Sequence, residues 1–284
     1  MPTILFWNMS GVNEPGLVAS LAHEHSTDIL VLAECGIPTQ KLQLALNTGC
    51  RRLFFPDPLA IERITLFTTV KPLKKTESFV KDTRYCSVRQ YKLPLFGSML
   101  LVAVHLSSKT NLEGAEQSQL AGRLRELVNE AEERVGHART VVVGDFNMNP
   151  FEDGLVGSEA MHAVSDRRVA ARGSRTVRAE RRTFLYNPMW RFLGDNGPHP
   201  PGTFFHSGSS PVTHFWNVFD QVLFRPELLP HFADDGVRIV TEIGGVPLAC
   251  DKGRPDTTVG SDHFPIVLRL SDLELTEHGQ ELVG

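Results

Sequence analysis

Three valines at 141–143 run into Gly144-Asp145-Phe146-Asn147, and the two polar residues there are of the kinds that hold a hard cation and a phosphate. Residues two apart on an extended chain point the same way. One carboxylate and one neutral amide oxygen would thus be presented together, a pairing suited to Mg²⁺. The valine run is too short for a helix and reads as a buried strand. Gly144 permits a sharp exit or a close backbone approach. Asp and Asn after a strand also serve as ordinary turn residues, so the rest of the chain must decide between the two readings.

Polar groups recur at other strand ends. An apolar strand over 4–7 ends at Asn8, one over 28–33 ends at Glu34, and one over 98–104 ends at His105. The last strand, over 266–270, is preceded by Ser261-Asp262-His263. Taken singly, Glu34 reads equally as a solvated loop residue and His105 as a structural histidine. In the strand over 218–224, Asp220 interrupts an otherwise apolar run. A buried Asp needs a partner, and a histidine is a natural one. If the strands that close on these groups run antiparallel to those that open on them, all the groups meet on one rim. Carboxylates gathered there repel, by roughly 4 kcal/mol for two charges 4 Å apart at an effective dielectric of about 20. A divalent cation removes that penalty. Oxygen donors with two histidines, and no zinc-like Cys/His cluster, describe a hard-metal hydrolytic site. Phosphodiester hydrolysis needs those parts: a cation on the phosphate, a base for water and an acid for the leaving oxygen.

The elements that position these groups follow from periodicity. Asn13-Glu14-Pro15 predicts a helix start capped by Asn13, with Leu17, Val18, Leu21 and Ala22 on one face. A second helix is predicted over 38–47, and a long amphipathic one over 112–135 carries Leu120, Leu124, Leu127, Val128, Ala131 and Val135 at helical spacing. Strands over 63–69, 84–91 and 98–104 suggest antiparallel pairing through loops, and further strands are predicted over 203–206 and 236–242. Residues 159–201 have the weakest periodicity, and Arg167, Arg168, Arg172, Arg175, Arg178, Arg181 and Arg182 crowd there. Such a run is either a solvated loop or a phosphate contact. Its place between Asp145 and Asp220 suggests that it borders the cleft, with Arg172, Arg175 and Arg178 as candidate substrate contacts.

Composition bounds the rest. A chain of 284 residues, 41% hydrophobic and 22% charged, without a shift in composition along it, is expected to fold as one domain over 1–271 with a polar tail over 272–284. A net charge of −4 excludes a generally basic nucleic-acid coat but allows a local basic patch. No basic region or cleavage site follows Met1, which argues against secretion. The longest apolar run, 99–104, is far short of the roughly 20 residues of a membrane-spanning helix, so no membrane insertion is expected. Cys35, Cys50, Cys86 and Cys250 are too sparse for a disulfide framework and fit reduced thiols in a cytoplasm.

Leu5-Phe6-Trp7-Asn8, Leu32-Ala33-Glu34, Val104-His105-Leu106, Gly144-Asp145-Phe146-Asn147 with Pro150, Phe219-Asp220-Gln221-Val222-Leu223 and Ser261-Asp262-His263-Phe264-Pro265 resemble, in order, the motifs of the endonuclease/exonuclease/phosphatase superfamily, the deoxyribonuclease I-like group. Gly-Asp-x-Asn and Ser-Asp-His-x-Pro are the most specific of them. The resemblance implies a four-layered α/β sandwich, two mostly antiparallel sheets packed face to face with helices outside, and Mg²⁺-dependent attack of water on a phosphoester, Mn²⁺ being an acceptable substitute. It implies Glu34 as principal metal ligand with Asn8 and Asp262 close to the metal. Asp145 would orient or deprotonate water, Asn147 would hold the phosphate, and His263 paired with Asp220 would contact the phosphate and move a proton. His105 resembles the second histidine of the deoxyribonuclease I branch, although Ala103 stands where many relatives carry Asn. The expected function is a nuclease cutting DNA or RNA, favoured by the arginines and by aromatics that could stack on bases. A phosphoesterase acting on a small molecule or lipid headgroup, such as an inositol phosphate, is the alternative, and a catalytically inactive binding module a third. The sequence leaves open the nucleic acid, endo or exo cleavage, one metal or two, and the oligomeric state.

Overall fold

The computed structural model describes residues 2–57, 63–70, 80–93, 96–109, 114–195, 197–209 and 211–271. The tail over 272–284 and the first two residues of the long helix expected from 112 lie outside them.

A six-stranded sheet is built from β1 (Thr3–Asn8), β2 (Ile29–Ala33), β3 (Phe55–Asp57), β4 (Ile64–Thr68), β16 (Val237–Ile239) and β19 (Ile266–Arg269), in the order β16-β19-β1-β2-β4-β3. A seven-stranded sheet holds β5 (Val80–Asp82), β6 (Cys86–Leu93), β7 (Gly97–His105), β8 (Thr140–Asp145), β9 (Ala163–Val164), β12 (Leu185–Tyr186) and β15 (Asp220–Phe224), in the order β5-β6-β7-β8-β15-β12-β9. Most neighbours are antiparallel; β1 with β2, β7 with β8, and β9 with β12 run parallel. The helices are α1 (Pro15–Glu24), α2 (Thr39–Asn47), α3 (Gly114–Val135), α4 (Asp153–Val156) and α5 (Arg167–Ala170). Among the described residues three short antiparallel pairs accompany the sheets: β10 (Ser174–Val177) with β11 (Glu180–Thr183), β13 (Phe204–Phe205) with β14 (Trp216–Asn217), and β17 (Glu242–Ile243) with β18 (Val246–Pro247).

The seven-stranded sheet is apolar on both faces because it is covered on both. Leu101, Ala103, Val141, Val143, Val222 and Phe224 join the core shared with Phe6, Val31 and Ile266 of the other sheet. Their alternates Leu100, Val102, Val104, Val142 and Leu223 pack instead with Leu124, Val128 and Ala131 of α3. Two-residue alternation, placed between a second sheet and a helix, explains the unbroken apolar runs that the sequence displays. The architecture is the four-layered α/β sandwich.

Two sequence expectations are corrected by the structure. The strand over 63–69 does not pair with its two successors: β4 lies in the six-stranded sheet between β2 and β3, whereas β6 and β7 pair in the other. Asn13 does not cap α1, which begins at Pro15 with Glu14 at the cap position and no side-chain cap bond. Residues 159–201, the stretch of weakest periodicity, hold β9, α5, β10, β11 and β12, elements too short for hydrophobic periodicity to register.

Candidate active site

Register brings the polar strand ends to one rim. β19 runs antiparallel to β1, with Phe6 opposite Ile266, so the residues that precede Ile266 lie beside Asn8. Across the sandwich Asp220 opens β15 directly opposite Asp145, which closes β8, while His105 closes β7 beside Asp145 on the other flank. Glu34 follows β2 in a left-handed conformation at φ 50°.

Asp145 is the hub. Its side chain is 2% exposed. Oδ2 accepts from Asn8 Nδ2 at 3.0 Å and Asn147 Nδ2 at 3.1 Å, and Oδ1 accepts the Asn147 backbone N–H at 2.8 Å. Asn147 adopts φ 51°, a left-handed conformation that Asn tolerates, and also donates to the carbonyl of Leu106 at 3.0 Å. Gly144 makes this possible: a Cβ there would lie 1.9 Å from the carbonyl oxygen of Val104. Burial, then the charge of Asp220, raises the Asp145 carboxyl to about 6, with His263 and His105 pulling the other way.

His263 Nδ1 meets Asp220 Oδ2 at 2.8 Å, and Asp220 is fully buried. Burial alone would lower the imidazole; the charge and hydrogen bond of Asp220, with Asp145 and Asp262 beyond, outweigh it and raise His263 to about 9. With Nδ1 engaged, Nε2 is the nitrogen left to act. The backbone around the ring is pinned as well. The His263 N–H donates to Ser261 Oγ at 3.1 Å, its carbonyl accepts Trp7 Nε1–H at 2.9 Å, and the Phe204 ring lies 4.6 Å from the imidazole. Asp220 Oδ1 is buried without a hydrogen-bond partner among the described residues.

Glu34 is the open member of the set, its side chain 47% exposed. His105 Nε2 stands 3.2 Å from Glu34 Oε1 and 4.0 Å from Asp145 Oδ2. The hydrogen bond from His105 holds the Glu34 carboxyl below its ordinary range, against the effect of burial. Asp262, half-buried, accepts from Ser261 Oγ at 3.3 Å. Asn8 Oδ1 accepts from the Ser10 N–H at 3.1 Å, which leaves it a second lone pair.

The donor chemistry fits a hard divalent cation. Glu34, Asp145, Asp262 and the Asn8 amide all offer oxygen, and the carboxyl of Asp145, raised partly by a second carboxylate, marks negative charge not yet balanced. Asp145, Asp220 and His263 form the group whose ligand atoms all lie within 4.8 Å of one another. In that trio Asp220 already engages His263 Nδ1, an arrangement that suits proton handling. The half-exposed Glu34 side is the one open to an ion.

The arginines are not part of this rim, and the expectation that they border the cleft is corrected. Tyr186 of β12 pairs with Phe224, at the end of β15 opposite Asp220. Beyond it Arg225 holds Thr183 Oγ1 at 2.8 Å and the Phe184 carbonyl at 3.1 Å, and Phe184 N–H bonds the Gly173 carbonyl, closing the base of the β10–β11 hairpin. Arg172, Arg175 and Arg178 therefore sit at the far end of the seven-stranded sheet. Position between two rim strands does not determine where a long connection travels.

Several supporting residues escaped the sequence reading. Thr203 Oγ1 accepts the Asp220 backbone N–H at 3.2 Å, and buried Gln117 on α3 donates to the Asn147 carbonyl at 3.1 Å. A signal existed for Gln117: it falls in phase with Ala121, Leu124 and Val128, a polar residue on the apolar stripe of α3. Asn149 carries another such support, donating to Asn217 Oδ1 at 2.8 Å and accepting the Val218 N–H at 2.9 Å.

The Endonuclease/Exonuclease/phosphatase family model matches residues 5–263. Among solved structures, D. rerio TDP2 complexed with a single-strand DNA product is similar at 17% identity, over 95% of this chain and 98% of that one, with a TM-score of 0.53. The endonuclease domain of TRAS1, a telomere-specific non-LTR retrotransposon, aligns at 11% identity over 95% and 98% of the two chains, TM-score 0.53. An endonuclease/exonuclease/phosphatase family protein from Bacteroides thetaiotaomicron aligns at 13% identity over 98% of both, TM-score 0.54. At such identities the likeness is one of fold. No curated protein matches the sequence.

Proposed function

The chain belongs to the endonuclease/exonuclease/phosphatase family, and from that we propose that it is a Mg²⁺-dependent phosphodiesterase, most concretely a nuclease that hydrolyses DNA or RNA. The observation that carries the reading is the buried Asp145 set opposite the Asp220–His263 pair. A carboxyl raised to about 6 is ionised at neutral pH yet basic enough to take a proton from water. An imidazole raised to about 9 is protonated there, and its Nε2–H is free to meet a phosphate oxygen and return a proton to the leaving oxygen. Asn8 and Asn147 fix the Asp145 carboxylate from both sides, and His105 orients Glu34. Glu34, with Asn8 and Asp262, would hold Mg²⁺ or Mn²⁺, which when bound supplies positive charge against the phosphate oxygens.

Nucleic acid is favoured over a small phosphoester by what adjoins His263. Phe204, bridged to His263 along the backbone, stacks on Phe219 with ring centroids 5.5 Å apart. Arg254 lies 3.7 Å over the Phe205 ring, and Phe215 is exposed. Flat apolar surfaces with a cation beside them suit bases. Two structural relatives, one complexed with a single-strand DNA product and one an endonuclease domain, point the same way. The test is to offer the purified protein supercoiled DNA, single-stranded DNA, RNA and inositol phosphates with Mg²⁺. Cleavage of a nucleic acid is expected; turnover of inositol phosphates alone would replace the nuclease reading with the small-molecule one.

A further inference from the structure

The hairpin remote from the rim is built to concentrate positive charge. Residues 172–182, from the approach to the hairpin into its second strand, hold five arginines and one glutamate in a chain whose net charge is −4. Arg175 stands directly opposite Arg182 across the β10–β11 ladder, a like-charged pair that ordinarily weakens a hairpin. Arg182 is held by Glu159 and Glu180. Arg175, by contrast, is held without being neutralised: its Nε donates at 2.9 Å to Nε2 of buried His162, whose Nδ1–H bonds the Thr183 carbonyl at 3.0 Å. A histidine used in this way is uncharged, and burial lowers it in keeping with that. Among the described residues no side-chain hydrogen bond or ion pair ties Arg172 or Arg178, and both are exposed.

The turn is the second observation. Val177 pairs with Glu180, so Arg178 and Ala179 form a two-residue loop, and both have positive φ, 48° and 67°. Such turns select Asn-Gly or Asp-Gly because other side chains are strained there. Here the strained conformation holds an arginine at the tip, and an observed backbone outlier of this kind points toward function.

We infer that the β10–β11 hairpin is a docking arm for the phosphate backbone of a nucleic-acid strand, separate from the catalytic rim and engaged only by substrates long enough to reach both. The inference rests on the nuclease reading for its choice of polyanion. Asp220, which opens β15, and Arg225, which directly follows that strand and anchors the hairpin base, are five residues apart, about 17 Å at 3.3 Å per residue. A duplex shorter than about six base pairs, at 3.4 Å per step, cannot span them.

The experiment measures binding in chelator on an Asp145→Asn background, so that no cleavage intervenes. It uses a 30-nucleotide strand, its duplex, and a two-nucleotide fragment. Changing Arg172, Arg178 and Arg181 together to Ala should weaken the long ligands about tenfold and reduce the salt slope by about 2 to 3, while leaving the fragment unaffected. Arg178→Gly is the second variant. It relieves the turn and should raise Tm by about 2 °C while weakening the long ligands. Unchanged affinity and slope would overturn the arm, as would equal losses on long and short ligands. Displacement by poly-glutamate at equal charge would overturn nucleic acid as the partner. Because binding is read without turnover, a wild-type protein that cleaves no nucleic acid yet binds through these arginines would refute the nuclease reading alone.

Discussion

Asp145 and Asp220 face each other across the first rung of the β8–β15 ladder, two buried carboxylates of which only Asp220 has a histidine hydrogen-bonded to it. On the proposed mechanism that asymmetry divides their roles: the charge and hydrogen bond of Asp220 raise His263, while burial and the charge of Asp220 raise Asp145. The rate on a minimal bis-aryl phosphodiester should rise as pH passes about 6, when Asp145 ionises, and fall as pH passes about 9, when His263 loses its proton. A profile flat across the acid limb would remove Asp145 as the base.

Asp145→Asn should lower turnover by about 10² to 10⁴-fold, the usual worth of general acid–base help, with substrate binding retained. Single-turnover rates set against binding constants separate the two effects. A mere rise in KM would place Asp145 among the binding groups.

Asp220→Asn preserves the shape of the pair and deletes its charge. Burial then acts on His263 with less opposition, so the imidazole should titrate well below about 9 and the basic limb of the rate profile should move with it. Histidine ring resonances followed by NMR give the titration directly. A His263 that still titrates near 9 would show that Asp145 and Asp262 suffice.

Activity should vanish in chelator and return with Mg²⁺ or Mn²⁺. Glu34→Gln should raise the metal concentration needed for half-activation without changing the melting temperature, because Glu34 is half-exposed and carries no core packing. His105→Ala should act on the same quantity by releasing Glu34 Oε1. Loss of activity in His105→Ala with unchanged metal dependence would instead place His105 on the substrate.

Gly144→Ala is expected to destabilise the fold by about 3 kcal/mol or more, since the new methyl must displace the Val104 backbone and the φ of +150° suits glycine alone. Urea unfolding measures it. A loss below about 1 kcal/mol would mean that β7 and β8 can part cheaply.

Much of the rim was legible because a single physical rule generates it. A polar residue that ends or interrupts an apolar strand needs a partner, which is how Asp220 and a histidine could be paired before any coordinates, and why Gly144 could be expected at a close approach. The sheet assignment of β4 was not legible, since an apolar strand carries no label for which sheet receives it. Nor was the place of the arginines: the chain leaves the rim after Asp145, adds β9 and β12 at the sheet edge, and only then returns to Asp220. Thr203 acts through the backbone N–H of Asp220, and such a contact leaves little trace in residue type.

The groups at the rim are divided between the two sheets, with Asn8, Glu34, Asp262 and His263 on or beside strands of one and His105, Asp145, Asn147 and Asp220 on or beside strands of the other. The site is thus a seam, and its alignment is set by the thickness of the oily filling between Phe6, Val31 and Ile266 on one side and Leu101, Val143 and Val222 on the other. A methylene removed deep in that filling touches no reacting atom, yet it lets one half of the machinery slide against the other. Tolerances of the reaction are in this sense written into the core, where a substitution that leaves the melting temperature nearly unchanged can still put the chemistry out of true.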